Sequence, residues 1–171
     1  MKKASILVTF IMIITGIIFL AIAIQEKSKT KELFYQKLAI IPQIDLYDLN
    51  SNLVKLNDIG LKEKVIIIYF DINCDICRIE AKEFNNFQDN FKDSDIVFIS
   101  NNTIDETKSF IIENKLEESG YLFLSDNNYS LIKNYNIQTI PYILLYINNN
   151  LAKTYKGGVS IKQIIKDKND K

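Results

Sequence analysis

Tyr69 to Glu80 reads YFDINCDICRIE and holds both cysteines of the chain, Cys74 and Cys77, with two residues between them. Directly upstream, Val65 to Phe70 (VIIIYF) is an unbroken apolar, β-branched run. That is the pattern of a strand buried on both faces. Directly downstream, Ile76, Ile79, Phe84, Phe87 and Phe91 recur at roughly helical spacing, which predicts a helix with those side chains on its inner face. The cysteines therefore sit where a buried strand ends and a helix begins. The first turn of a helix offers unpaired backbone N–H groups and the positive end of the macrodipole. A thiolate is stabilised there, so Cys74 becomes a usable nucleophile, and Cys77, one turn on, can attack the mixed disulfide that forms.

A purely structural disulfide is the competing reading, since pairs in oxidising compartments are often staples. Closing a loop of two residues removes little unfolded-state entropy, which favours a redox-active pair. A zinc site is disfavoured: the chain has no His, and two Cys cannot complete four ligands unless carboxylates or a second chain contribute. The missing His also removes Ser-His-Asp and Cys-His catalysis. Asp71, Asp75 and Glu80 surround the pair in sequence. Negative charge opposes a thiolate and makes the couple less oxidising, so the acids point to a reductase rather than a strong oxidase.

Outward from this stretch the pattern is strand and helix in alternation. QIDLYDL and LVKL bracket Asn50-Ser51-Asn52 and predict a β-hairpin. LNDIGLKEK reads as a helical turn or loop. Asp95 to Ser100 (DIVFIS) is the next strand. Thr103, three residues before Glu106, is a capping-box signature opening a helix that is expected to run to Gly120. YLFLSD is a short strand and NYSLIKNYN a short helix. Tyr142 to Ile147 and Leu151 to Lys156 flank a run of Asn and form an antiparallel hairpin; Gly157-Gly158 breaks the chain, and VSIKQIIKDK closes it as a helix. The final KDKNDK is expected to fray. Pro141 opens its strand, where proline is tolerated, and is a position where a cis peptide would expose a backbone edge beside the cysteines. The fold class expected is α/β: a central mixed sheet flanked by helices and preceded by the hairpin.

The 171 residues are 47% hydrophobic and 25% charged with zero formal net charge, which permits a real core and argues against nucleic-acid binding by bulk electrostatics. Ala4 to Ile24 carries no charge, long enough for a transmembrane helix, with Lys2 and Lys3 favouring a cytoplasmic N-terminus. Residues 1–25 are thus expected to be a membrane anchor, 26–40 a linker and 41–168 the folded domain. A cleaved signal peptide is the alternative, since Ala21-Ile22-Ala23 fits a cleavage site. With the N-terminus inside, the domain lies on the extracytoplasmic side of the cell membrane, or is secreted or periplasmic after cleavage.

IDLYDLNSNLVKLNDI, VIIIYFDINCDICRIEAKEF and YNIQTIPYILLYINNNLAKTYKGGVS together resemble the thioredoxin superfamily, and within it the membrane-anchored TlpA/ResA-like thiol-disulfide oxidoreductases with a redoxin, AhpC/TSA-like domain. The resemblance spans roughly residues 41–166. It implies a thioredoxin-like fold, Cys74 as attacking cysteine, Cys77 as buried resolving cysteine, and Pro141 after Ile140 as a cis-proline offering backbone to substrate. Glu80 matches the family's glutamate and is implied as proton acceptor for Cys77; a solvated helix glutamate is the plainer role. No cofactor beyond the Cys74–Cys77 disulfide is implied. The implied partners are a disulfide-containing protein, with apocytochrome c as candidate by analogy, and a membrane-bound thiol electron donor. The chain departs from the pattern at Asn73, where an aromatic is usual, and at Ile76 and Ala81, where proline is. Ile68 stands where thioredoxin has a buried acid. Two further readings remain: a peroxiredoxin-like thiol peroxidase, against which FDIN before Cys74 offers no Thr, and a membrane-tethered adaptor without enzymatic activity.

Overall fold

The structure is a computed structural model; it describes residues 2–58 and 62–170, and side chains 2–11, 30, 31, 34, 35 and 58 are outside the description. The chain divides into two compact units after Lys37. The first is a helix, α1 (Lys2–Leu38). The expected tether after Gln25 is thus continuous with it. Among the described residues no helix is long and apolar enough to cross a membrane. The expected span, Ala4 to Ile24, begins among side chains that lie outside those described.

The second unit is built on one seven-stranded sheet. Its elements are β1 (Asp45–Tyr47), β2 (Leu53–Lys55), β3 (Lys64–Phe70), α2 (Asp75–Asn86), β4 (Ser94–Ser100), α3 (Ile104–Glu113), β5 (Leu122–Ser125), α4 (Ser130–Tyr135), β6 (Tyr142–Ile147), β7 (Asn150–Lys156) and α5 (Ile161–Asn169). Strand order is β2-β1-β5-β4-β3-β6-β7. β3, β4 and β5 run parallel, joined through helices; β6 pairs antiparallel with β3, and β7 with β6. β1 pairs antiparallel with both β2 and β5. The sheet is therefore mixed. Leu56–Asp58 forms a 3-10 turn, and residues 59–61 of the expected helical turn lie outside the description.

β3 is central, with six consecutive buried residues. Its side chains alternate between two cores. Ile66, Ile68 and Phe70 join Cys77, Ala81 and Phe84 of α2, Phe110 and Ile111 of α3, and Ile161 and Ile164 of α5. Val65, Ile67 and Tyr69 point to the other face, where Tyr146 lies near Tyr135 of α4 and, by burial first, has its phenol pushed far up. Aromatic rings organise the first core: Phe70 meets Phe98 edge-on at 5.6 Å, and Phe98 stacks on Phe123 at 5.1 Å.

Three local expectations need correction. The buried face of α2 is Cys77, Glu80, Ala81 and Phe84, while Ile76 and Ile79 are exposed. Positions 77, 81 and 84 follow the i, i+4, i+7 stripe, and the small Ala81 carries a phase that the larger isoleucines obscure. Second, α3 stops at Glu113, not Gly120. Lys115 adopts φ 58°, its N–H donates to Ile112 O at 3.1 Å, and Leu116 N–H donates to Ile111 O at 2.9 Å. That is a Schellman ending, closed by the buried Leu116 and Ile111. Third, the C-terminal tail does not fray at its base. Lys168 is only 3% exposed, donates to Asn90 O at 2.7 Å and pairs with Asp93. Lys64 pairs with the same carboxylate at 2.8 Å. Burial pushes the Asp93 carboxyl up, but Lys168 and Lys64 together hold it well below the usual range. The capping box opens α3 as expected, with Thr103 N–H donating to Glu106 Oε2 at 2.9 Å.

Candidate active site

β3 delivers the chain to the redox loop at one end of the sheet. Three backbone N–H groups of that loop are engaged. Ile72 donates to Asn102 Oδ1 (3.2 Å), Asn73 to Asp71 Oδ1 (2.7 Å), and Cys74 to Asp71 O (3.1 Å). Cys74 is then the N-cap of α2, in extended backbone conformation (φ −89°, ψ 111°), and its Sγ accepts from Cys77 N–H at 3.2 Å. A sulfur thus occupies the capping position that a hydroxyl or carboxylate usually fills.

Cys74 and Cys77 are joined as a disulfide with Cα atoms 5.2 Å apart. Cys74 is half-buried at the rim of the core cluster, and Cys77 lies within it. The two sulfurs therefore differ in access, as an attacking and a resolving thiol must.

Glu80, one turn past Cys77, is 5% exposed. Its Oε1 accepts from Val159 N–H at 2.7 Å, while Oε2 has no hydrogen-bond partner among the described residues. Burial pushes the carboxyl up to about 7; the Val159 bond opposes this and the nearby charge of Glu83 adds to it. Of the other two acids, Asp75 is exposed and pairs with Arg78 at 3.4 Å. Asp71 spends Oδ1 on Asn73. The three carboxylates thus have different employments and do not act as one cluster. Among the described residues no group of three or more metal-ligating side chains comes together.

Pro141 follows Ile140 through a cis peptide. Tyr142 lies opposite Tyr69 in the β3–β6 ladder, so Pro141 sits at the end of the sheet from which the redox loop emerges. Its carbonyl accepts from Gly157 N–H at 2.8 Å. Ile140, Cys74 and Val159 pack at the rim of the same cluster. The structure thus gathers all five predicted positions, Cys74, Cys77, Glu80, Ile140 and Pro141, at one end of the domain.

Two contributors were not placed at the site by the sequence: the Gly157-Gly158 pair, read there only as a chain break and part of the resemblance, and Asn102. Gly157 needs its freedom, with φ +84°, and Gly158 approaches α2 so closely that a Cβ would stand 2.7 Å from Ile76 Cγ2. That approach lets the chain bring Val159 N–H to Glu80. The adjacent glycines were the available signal. Asn102 gave none, because only the fold brings it to Ile72, thirty residues away.

No curated protein matches the sequence. Solved structures do. A secreted disulfide oxidoreductase of Mycobacterium tuberculosis, homologous to Escherichia coli DsbE, superposes with TM-score 0.63 at 14% identity, over 74% of this chain and 94% of that one. StoA from Bacillus subtilis gives 0.56 at 22%, over 72% and 94%. A peroxiredoxin-like protein from Aquifex aeolicus gives 0.62 at 13%, over 76% and 84%. At such identities the likeness is one of fold, and the fold is thioredoxin-like. Residues 39–160 match the AhpC/TSA family, nearly the whole of the second unit, and the chain belongs to that family.

Proposed function

We propose that the protein is a thiol-disulfide oxidoreductase that reduces disulfides in extracytoplasmic proteins. The observation that carries this is the asymmetric pair at the N-terminus of α2: a half-buried Cys74 whose sulfur accepts a helix N–H, and a buried Cys77 bonded to it. The Cys74 thiolate attacks one sulfur of the substrate disulfide, forming a mixed disulfide and expelling the other as a thiolate. Cys77 then loses its proton to Glu80 and attacks Cys74 Sγ. The second substrate thiolate leaves, the substrate has gained two electrons, and the chain holds the Cys74–Cys77 disulfide. Glu80 suits the step: it shares a helix face with Cys77, has an oxygen free, and is poised near neutrality. Ile140 and Pro141 offer backbone to the substrate. A membrane-bound thiol donor returns the pair to the dithiol, and the N-terminal segment holds the domain at the extracytoplasmic face of the cell membrane.

The deciding experiment is the reduction potential of Cys74–Cys77 in glutathione and dithiothreitol buffers. A value of roughly −250 mV or lower is expected, below the glutathione poise. A value above about −180 mV would make the protein an oxidase or isomerase. Peroxide consumption, measured alongside, separates this reading from a thiol peroxidase.

A further inference from the structure

We infer that Asn102 is a positioning residue for the redox pair, holding Cys74 where its thiolate meets the N-terminus of α2. The inference rests on the oxidoreductase reading of that pair. Of the N–H groups at Ile72, Asn73 and Cys74, those of Asn73 and Cys74 are satisfied within the loop by Asp71. Ile72 alone donates to another element, at Asn102 Oδ1 (3.2 Å). Asn102 is itself fixed by the ends of two central strands. Its N–H donates to Ser100 Oγ (3.1 Å) at the end of β4, and its carbonyl accepts from Ser125 Oγ (3.2 Å) at the end of β5. Both serines are fully buried, and Ser100 Oγ lies 3.5 Å from Thr107 Oγ1 of α3. Asn102 thus ties the loop to the buried ends of β4 and β5.

The tie matters most when the disulfide is open. In the oxidised chain the S–S bond itself holds Cys74 at the N-cap. In the dithiol, only the loop keeps Cys74 Sγ within reach of Cys77 N–H, and that contact stabilises the thiolate. Releasing Ile72 therefore costs the reduced form more than the oxidised form. The thiolate is less favoured, and the couple becomes more reducing.

The test compares the full-length chain with Asn102→Ala and Asn102→Asp. Three quantities are read: the Cys74 thiol pKa from thiolate ultraviolet absorbance, the equilibrium constant with glutathione, and thermal stability. Asn102→Ala is expected to raise the Cys74 pKa and shift the equilibrium about three- to tenfold toward the protein disulfide, a tenfold change being about 30 mV. Asn102→Asp keeps an acceptor for Ile72 N–H and is expected to leave that amide as protected from hydrogen exchange as in the parent, whereas Asn102→Ala loses the protection. A fall in stability with the Cys74 pKa and the equilibrium both unchanged would reduce Asn102 to a structural residue and overturn the inference. So would a shift toward the dithiol. Failure of the parent chain to exchange with glutathione at all would instead count against the oxidoreductase reading, and the thiol pKa comparison would still decide the role of Asn102.

Discussion

Replacing Glu80 with glutamine removes a charge and leaves the shape. In the folded chain the carboxyl is buried and its pKa stands near 7, against 4.5 for the ordinary group. The folded state therefore binds the proton more tightly than the unfolded state. Stability contributed by that proton is complete below about pH 4.5 and is lost as the pH rises through about 7. The full loss is about 3 kcal/mol, from roughly 1.4 kcal/mol per pKa unit. Glutamine keeps an oxygen for Val159 N–H and cannot ionise. Glu80→Gln should match the parent at about pH 4.5, and exceed it by up to about 3 kcal/mol above pH 8. Urea unfolding of the oxidised chain across this range, read as the difference between the two proteins, isolates the effect from every other titrating group. In the same variant, transfer of the Cys77 proton loses its acceptor, so resolution of a mixed disulfide at neutral pH should slow by about 100-fold. A stability difference that does not change with pH would refute the account of Glu80, whatever happens to the rate. A gain in stability with an unchanged rate would leave Glu80 buried and titrating but remove it from the chemistry.

Cys77→Ser should accumulate a mixed disulfide between Cys74 and a model protein substrate, visible by mass spectrometry, while Cys74→Ser should form none. Gly158→Ala should destabilise the chain by about 1–3 kcal/mol in urea unfolding, because the new methyl meets the β-branched Ile76 at 2.7 Å and the loop bearing Val159 must retreat from Glu80. Asp93→Ala should cost about 2–3 kcal/mol, since it strips the carboxylate from the buried Lys168 ammonium. Because the Asp93 pKa is depressed, the contribution of its charge is present above the ordinary carboxylate range and lost as the pH falls below it, so the parent and Asp93→Asn should converge in acid.

The strands of this protein were legible because their apolar runs match burial on one or two sides: VIIIYF could only be central, and it pairs on both edges. The redox pair was legible for the same reason, since its chemistry follows from standing between that strand and a helix. What escaped was set by tertiary contact. α3 ends on a lysine in the left-handed conformation, a position glycine usually marks, so no residue announced the stop. The face of α2 turns on Ala81, too small to stand out against the isoleucines, and on a buried glutamate, which is not apolar at all. Lys168 reads as tail until Asp93 and Asn90 are brought beneath it. In the β6–β7 turn, Asn148 and Asn149 both adopt positive φ, 52° and 62°, as a two-residue hairpin requires, and the Asn run had marked it to within one residue.

The second unit begins at the pole of its sheet opposite the disulfide. Leu38 is fully buried and its carbonyl accepts from Tyr146 Oη at 3.1 Å. Ala39 O then accepts from Leu151 N–H at 2.9 Å, and Ile41 N–H donates to Asn149 Oδ1 at 3.3 Å. These contacts clasp the incoming chain to the β6–β7 turn. That turn lies at the Lys64 end of β3, and the disulfide lies beyond its Phe70 end. Seven residues of strand separate the two poles, roughly 20 Å at the usual rise. The chain thus enters the second unit at the rear pole, and the sulfurs stand at the opposite one.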